Sequence, residues 1–319
     1  LPAVKSLGPF PGQRFVFLFA PSIQDPKTEV LCGFFPLQTC HTETAVAFTA
    51  LGLLRHPYCY VRTPLLRARY ARECLGAFFD WLASEKHAAG VFELSEVVSE
   101  GPFRQLVTDE VYRRGTCTFA LRAHTRALFR PGASVDAYLS YALSNRHRRD
   151  IGRKARRLSE HGAVTYTTPG VDSTIEGWTE RFLKLEASGW KGRSGSALAA
   201  GQRGQTFFRE VMHGAFERKR LLGLELGVGA EPVAMRVSFA AGSGAMAFKL
   251  AFNESFAHYS PGMLLEVENV RRLHATRGIT WMDCGAVPDS QLFNRVWIHR
   301  RTIETLLLST GRSKGTLLL

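Results

Sequence analysis

Four consecutive residues, Tyr259, Ser260, Pro261 and Gly262, have features suited to binding a phosphate group. Proline is tolerated in the first turn of an α-helix, where the amide groups have no partner within the helix, so Pro261 predicts a helix start. The unpaired amides and the positive end of the helix dipole attract anions there. Gly262 would let a ligand approach the backbone, and Ser260 could cap the helix or donate a hydrogen bond. An ordinary capped helix could carry the same residues, so both interpretations stay open.

The residues around this helix predict a strand, helix, strand unit. Residues 245–251 alternate small and large side chains, which is typical of a strand and places Lys249 on the same face as Ala247. Apolar residues at helical spacing continue to Gly278, and residues 279–284 form a second predicted strand. A right-handed crossover would make the two strands parallel.

Composition indicates a globular chain. It has 319 residues, of which 45% are hydrophobic and 22% charged, enough to bury a large core in one or two domains. No apolar run reaches membrane-spanning length and no secretory signal is visible, so we expect a cytoplasmic protein without membrane insertion. The six cysteines lack CxxC spacing and the ten histidines lack ligand pairing. These patterns favour a reducing compartment and predict no metal site.

The formal net charge of +13 suits nucleic acid, membrane headgroups or a phosphorylated small molecule. Residues 146–157 hold seven Lys and Arg residues, and we expect Arg149 and Arg153 to contact the phosphates of a cofactor or a tRNA. A solvated helix face is the alternative. A dedicated nucleic-acid binder is disfavoured, because no aromatic residues interleave with these charges.

Taken in order, the chain divides into two halves that both mix strands and helices. The first half has predicted strands at residues 14–19, 30–39, 91–97 and 116–121 and predicted helices at residues 70–87 and 102–113. A long helix at residues 134–161 leads into the second half. There, further strands are predicted at residues 164–167, 221–228, 233–239 and 302–309, and further helices at residues 175–188 and 206–218. The pattern predicts an α/β fold with domains at residues 1–125 and 163–319, joined by the basic helix in residues 126–162.

The second half runs strand, helix, helix, three antiparallel strands, helix, strand, and this order resembles the GNAT acyltransferase fold. Short strings look like the CelD-like branch of that superfamily, whose members carry two GNAT-like halves. These strings are Ala155-Arg156-Arg157-Leu158, Leu185-Glu186, Trp190-Lys191-Gly192, Phe207-Phe208, Pro232-Val233-Ala234, Phe248-Lys249-Leu250-Ala251-Phe252, Tyr259-Ser260-Pro261-Gly262 and Asp283-Cys284. The similarity spans residues 140–309 and continues more faintly through Phe35-Pro36-Leu37. It implies two GNAT-like halves, each a mostly antiparallel central sheet flanked by helices.

The resemblance implies acyl transfer from acetyl-CoA or another acyl-CoA to an amine of a small molecule, peptide or sugar. The pantetheine arm would enter between the splayed strands at residues 245–251 and 279–284. The expected donor-binding residues, besides Arg149 and Arg153, are Leu250, Ser260, Pro261, Gly262, Met263 and Leu264. The chain departs from the usual phosphate loop, Q/R-x-x-G-x-G/A, because Ser260-Pro261-Gly262 keeps only one glycine.

Four side chains are candidates for catalysis, and each has a structural alternative. Asp283 lies at a strand end and could be a general base, or could cap the turn that follows. Lys249 could hold the oxyanion, or extend past an apolar surface to water. Glu186 could be a base or a helix-end charge. Tyr259 could protonate the departing thiolate, or only pack.

The acceptor pocket is predicted to involve Trp190, Lys191 and Arg193 on a glycine-rich loop, together with Arg236. Such a loop is often only mobile. Two other functions stay open. Fem-type transferases share the doubled architecture and use aminoacyl-tRNA in place of acyl-CoA. A degenerate GNAT half could also serve as a non-enzymatic scaffold.

Overall fold

The computed structural model describes residues 12–42, 49–84, 90–170 and 174–311. The helices in these ranges are α1 (Ala71–Ser84), α2 (Pro102–Arg114), α3 (Val135–Ala142), α4 (Asn145–Ser159), α5 (Ile175–Ser188), α6 (Trp190–Arg193), α7 (Gln202–Glu217), α8 (Pro261–Ala275) and α9 (Gln291–Val296). The strands are β1 (Arg14–Pro21), β2 (Glu29–His41), β3 (Thr49–Leu53), β4 (Leu65–Leu66), β5 (Val91–Val98), β6 (Thr118–Phe129), β7 (Val164–Thr167), β8 (Leu221–Val228), β9 (Glu231–Ala241), β10 (Gly244–Phe252), β11 (Trp281–Asp283) and β12 (His299–Ser309).

The chain separates into two compact units. The central unit is Arg126–Arg300, and the N-terminal unit contains the described residues up to Thr125 and those from Arg301 onward. This division differs from the predicted domains, because α4 is part of the central unit and most of β12 belongs to the N-terminal unit. Along the sequence, β6 begins in one unit and ends in the other.

In the N-terminal unit the strand order is β1-β2-β3-β5-β12, with β4 beside β2. All of these neighbours are antiparallel except β3 and β5, which run parallel. The core forms where α1 covers this sheet, and Phe78 of α1 stacks on Phe35 of β2 with ring centroids 3.8 Å apart. The two-residue alternation of β2 and the helical spacing of apolar residues in α1 place these two rings on the surfaces that face each other.

In the central unit the strand order is β6-β11-β10-β9-β8-β7, and only β10 and β11 run parallel. Alternating residues of β8 face different helices. Leu224 and Leu226 pack in a cluster that includes Leu158 of α4 and residues of α8, whereas Glu225 forms an ion pair with Arg181 of α5. One face of this sheet is therefore covered by α4 and α8, and the other by α5.

The prediction of one long helix over residues 134–161 was wrong. Leu143 is buried and has extended backbone angles, so α3 ends there. The Ser144 hydroxyl then accepts a hydrogen bond from the His147 N–H and begins α4. Serine at this position satisfies one of the free amides of a helix start, which favours a new helix over continuation. Residues 85–87 of the predicted helix at 70–87 lie outside the described residues, and β3 was not predicted.

Replacing Ser144 tests the assignment of this cap. Ser144→Ala removes the acceptor for the His147 N–H, and we expect the free energy of unfolding to fall by about 1 kcal/mol in chemical denaturation. Ser144→Asp, which restores an acceptor at the same position, should recover most of this loss. Equal stability of the alanine variant and the native protein would show that the cap does not hold α4.

Candidate functional site

Strands β10 and β11 pair over three residues and then separate. The parallel pairing ends where Met246 meets Asp283, although β10 continues to Phe252. Beyond this point the chain turns toward β6, because the Cys284 N–H donates to the Ala127 carbonyl at 3.2 Å. The edge of β10 that follows Met246 therefore has no partner from β11 within the described residues. An open strand edge can form backbone hydrogen bonds with an extended ligand.

A β-bulge in β10 changes the predicted faces of this strand. Ala247 pairs with Ser238 and Lys249 with Val237, so Phe248 is one extra residue. The prediction that Lys249 shares a face with Ala247 was wrong, because a bulge interrupts the two-residue alternation. Ala247 packs in the cluster that contains residues of α8, whereas the Lys249 ammonium lies 3.9 Å from Glu186 of α5.

The Glu186 carboxylate is fully buried between two lysines. Its Oε1 lies 3.2 Å from Lys191 Nζ and 3.9 Å from Lys249 Nζ. Its Oε2 accepts a hydrogen bond from the Leu198 N–H at 2.8 Å. Lys191 also donates to the Leu250 carbonyl at 2.8 Å, which fixes its head group beside β10. The sequence candidates Glu186, Lys191 and Lys249 thus meet at one place.

Burial and the neighbouring charges act on the pKa of Lys249. Burial lowers this pKa, Glu186 acts in the opposite direction, and the charge of Lys191 lowers the pKa further. A lysine with a lowered pKa gives up its proton more readily at neutral pH. A carboxylate with two ammonium groups beside it can orient a nucleophile, accept a proton or balance a developing charge.

The short helix α6 is fastened to the chain that follows β10. Glu254 accepts from the Trp190 N–H at 2.6 Å with one oxygen and from the Arg193 guanidinium at 2.7 Å with the other. Trp190 is 55% exposed. A cavity of about 30 Å³ lies beneath it, lined in part by Glu186, and has room for little more than one water molecule.

The start of α8 offers fewer free amides than its sequence suggests. The N–H groups of Met263 and Leu264 both donate to the Ser260 carbonyl, at 2.9 and 3.1 Å. Pro261 has no N–H, so Gly262 supplies the one amide left for an anion in this turn. The Ser260 hydroxyl accepts from Lys154 of α4 at 2.9 Å. Lys154 was not predicted as a site residue, because only the fold brings it here.

Tyr259 is bonded to a residue that the sequence did not indicate. Its hydroxyl lies 2.6 Å from His161 Nε2. The rings of Phe256 and His258 pack beside it. His161 follows the basic helix by two residues and has no motif around it. An imidazole at this distance can exchange a proton with the phenol.

Asp283 and Arg236 are both committed to buried ion pairs. Asp283 has no exposed surface, lies 2.7 Å from Arg126 Nε and accepts from the Gly285 N–H at 2.9 Å, as in the turn-capping alternative. Arg236 is 1% exposed and forms an ion pair with Glu266, which also accepts from the Trp297 indole at 2.8 Å. Arg236 is therefore not available to a bound acceptor, and the prediction that it lines the acceptor pocket was wrong.

The exposed face of α4 carries a row of arginines. Arg146, Arg149, Arg153 and Arg156, with Arg295 of α9, line an open groove of about 1160 Å³. Their spacing of three or four residues places the α4 members on one side of the helix. Asp150 is the carboxylate in this lining, and it pairs with Arg153 and Lys154. The groove is thus suited to a chain of phosphates.

The family of acetyltransferase (GNAT) domains matches residues 145–290. Those residues are similar to a GNAT domain. They contain the separating strands, the Glu186 group and the start of α8, so the resemblance to the GNAT fold seen in the sequence is confirmed. No curated protein sequence matches the chain.

Solved structures similar to this chain include FemX, with a TM-score of 0.59, 12% identity, and coverage of 93% of this chain and 88% of that one. Another is the C-terminal domain of a protein assigned as a lysylphosphatidylglycerol synthetase from Agrobacterium fabrum, with a TM-score of 0.57, 12% identity, and coverage of 95% and 87%. L-PGS from Bacillus licheniformis matches with a TM-score of 0.52, 11% identity, and coverage of 93% and 85%. At these identities the similarity is one of fold, and it extends over both units.

The described residues lack two features that would indicate other functions. No three His, Cys, Asp or Glu side chains of these ranges cluster closely enough to hold a metal ion. None of the helices that the structure describes has the length and apolarity needed to cross a bilayer.

Substitutions in the buried Arg236–Glu266 pair test how much it contributes to the free energy of unfolding. Arg236→Ala would leave the Glu266 carboxylate buried without its counter-charge, and we expect a loss of about 3–5 kcal/mol in the free energy of unfolding. The double variant Arg236→Met with Glu266→Leu removes both charges and should lie within about 1–2 kcal/mol of the native protein. A single variant as stable as the native protein would show that the pair is not maintained in solution.

Proposed function

We propose that this protein transfers an acyl group from an acyl-CoA thioester to an amine. The observation that carries the proposal is the separation of β10 from β11 after Met246, which leaves the edge of β10 open beside Gly262. Pantetheine contains two amide groups, and an amide can pair with an open strand edge as another strand would. The GNAT match over residues 145–290 supports a thioester in this place.

The donor and the acceptor would approach from different faces of the sheet. Leu250 and Gly262 lie on the face of α8, where an added Cβ at Gly262 would be 3.5 Å from the Leu250 side chain. There the Gly262 N–H and the Lys154 ammonium are the groups available for the diphosphate. Glu186 and Lys249 lie on the face of α5, beside the exposed Trp190. This face would take the amine.

The proton and the acyl group then move as follows. The neutral amine nitrogen attacks the thioester carbon, a C–N bond forms, and the carbonyl oxygen becomes an oxyanion that the Lys249 ammonium stabilises. Glu186 accepts the proton released by the nitrogen. When the C–S bond breaks, the thiolate takes a proton from the Tyr259 hydroxyl, which regains one through His161. Asp283 holds the end of β11 in place through Arg126.

A second donor, aminoacyl-tRNA, is favoured by one specific observation. The first turn of α8 keeps only the Gly262 amide for a diphosphate, whereas the groove along α4 presents five arginines. A chain of phosphates would use such a groove better than one diphosphate does. The likeness to FemX in fold agrees with this alternative. In both cases the acyl carbonyl would lie at the open edge of β10.

Titration calorimetry with acetyl-CoA, longer acyl-CoAs and aminoacyl-tRNA distinguishes the two candidate acyl donors. Gly262→Glu places a carboxylate where the diphosphate would lie, and we expect acyl-CoA affinity to fall about tenfold or more. Gly214→Glu in α7, where an added Cβ meets the end of the Arg218 guanidinium, is the matched control. Undiminished acyl-CoA binding by Gly262→Glu would contradict the site. Salt-sensitive tRNA binding without acyl-CoA binding would select the second donor.

Catalysis is tested by Glu186→Gln, which keeps an acceptor for the Leu198 N–H but removes the base. With the best acceptor from a panel of amino sugars and short peptides, we expect kcat to fall about 10²- to 10⁴-fold with little change in donor affinity. Glu225→Gln, on the same face of the sheet and paired with Arg181, is the control and should keep its activity. Normal turnover by Glu186→Gln would remove this carboxylate from the mechanism.

A further inference from the structure

The N-terminal unit contains a strained position in the middle of its sheet. In β5, Ser95 and Glu96 stand opposite the single residue Thr305 of β12, which is a β-bulge. Glu96 has a φ angle of 52°, in the left-handed region that non-glycine residues seldom adopt. Its N–H donates to the Thr305 hydroxyl at 3.3 Å, which helps to hold this conformation. Bulges and strained residues are concentrated near binding sites.

Arg62 is attached to this bulge by both its backbone and its side chain. Its N–H donates to the Glu96 carbonyl at 2.9 Å, and its Nη1 donates to the hydroxyl of the fully buried Ser95 at 3.2 Å. The Nε proton is buried and has no acceptor among the described residues. Within those residues, no carboxylate comes within 4 Å of the guanidinium. Arg62 is partly buried, and a guanidinium whose Nε is out of contact with water commonly has such a partner, because an unpaired buried charge is costly.

The neighbouring carboxylates are bonded to other arginines. Glu93 pairs with Arg55 at 2.7 Å, and Glu96 pairs with Arg122 at 3.4 Å. Neither of these pairs includes Arg62, so its guanidinium carries a positive charge without a carboxylate in contact with it. Its pKa is lowered mainly by burial, an effect to which Arg55 and Arg122 add and which Glu96 opposes.

His56 adds a neutral hydrogen-bonding group to these surroundings. Burial lowers its pKa, and the charge of Arg62 lowers it further. Its Nδ1 accepts the Tyr58 N–H at 3.1 Å, so the proton of the neutral imidazole is on Nε2. The region thus contains donors and surplus positive charge, which is the opposite of what a bound cation would need.

We propose that Arg62 is the centre of an oxyanion-binding site in the N-terminal unit, which takes a carboxylate or phosphate group. A guanidinium presents parallel N–H donors that match the two oxygens of such a group. Binding would give the Nε proton its acceptor and balance the charge of the guanidinium. The site goes beyond the proposed function and does not depend on acyl transfer in the central unit.

The test compares inorganic phosphate with acetate, at constant ionic strength in chloride, by thermal unfolding and by calorimetry. In the native protein we expect at least one of the two ions to bind saturably and to raise Tm. A response to phosphate alone would indicate a phosphorylated ligand, and a response to acetate a carboxylate ligand. Absence of saturable binding of both ions would overturn the proposal.

Two variants locate the binding. In Arg62→Met we expect binding about 10- to 100-fold weaker and no rise in Tm, with unliganded stability at least equal to that of the native protein. Arg72→Met, which removes an exposed arginine paired with Asp109, should respond as the native protein does. If Arg62→Met did not fold, Arg62→Lys would decide, since it keeps the charge and loses the paired donors. Unweakened binding in the folded Arg62 variant would place the anion elsewhere and refute the proposal.

Discussion

The separation of two parallel strands in the central unit depends on a buried ion pair. Asp283 ends β11 and is bound to Arg126 of β6, and the next residue, Cys284, donates its N–H to the Ala127 carbonyl. These bonds draw the chain away from β10 at the residue where their pairing stops. Because both charges are buried, the loss of one would remove this counter-charge from the other, so the ion pair favours this geometry. Asp283 thus helps to fix the point at which β11 separates from β10.

The open edge that results has different chemistry on its two faces. On the face of α8, the Ser260 carbonyl uses two amides of the first helical turn, and Lys154 supplies positive charge from another helix. On the face of α5, a buried carboxylate and two lysines lie beside an exposed tryptophan. This turn offers one free amide, and positive charge reaches it from the basic helix α4 through the side chain of Lys154.

The sequence predicted most elements because apolar spacing determines which strands and helices form. Residues 164–167 and 221–228 were predicted with the bounds that the structure has. The face of Lys249 was not predictable, because the extra residue at Phe248 leaves no mark in composition or periodicity. Arg236 and Glu266 are thirty residues apart in different elements, so the sequence could not show that Arg236, predicted to bind the acceptor, is half of a buried ion pair. Lys154 and His161 belong to the site only through the packing of α4 against the residues before α8.

Among the described residues, each unit has one parallel pair of strands, and one strand of that pair carries a bulge: β5 in the N-terminal unit and β10 in the central unit. A bulge requires one extra residue in a strand relative to its partner, and it depends on this number more than on which residues are present. Deleting Phe248 would make Ala247 and Lys249 consecutive residues opposite Ser238 and Val237, so the bulge and the local bend and twist that it gives to β10 would be lost. Related chains can therefore exchange many residues in these strands, but the loss of one residue would change the course of the strand. The number of residues in β5 and β10 should accordingly be more uniform among such proteins than the residues themselves.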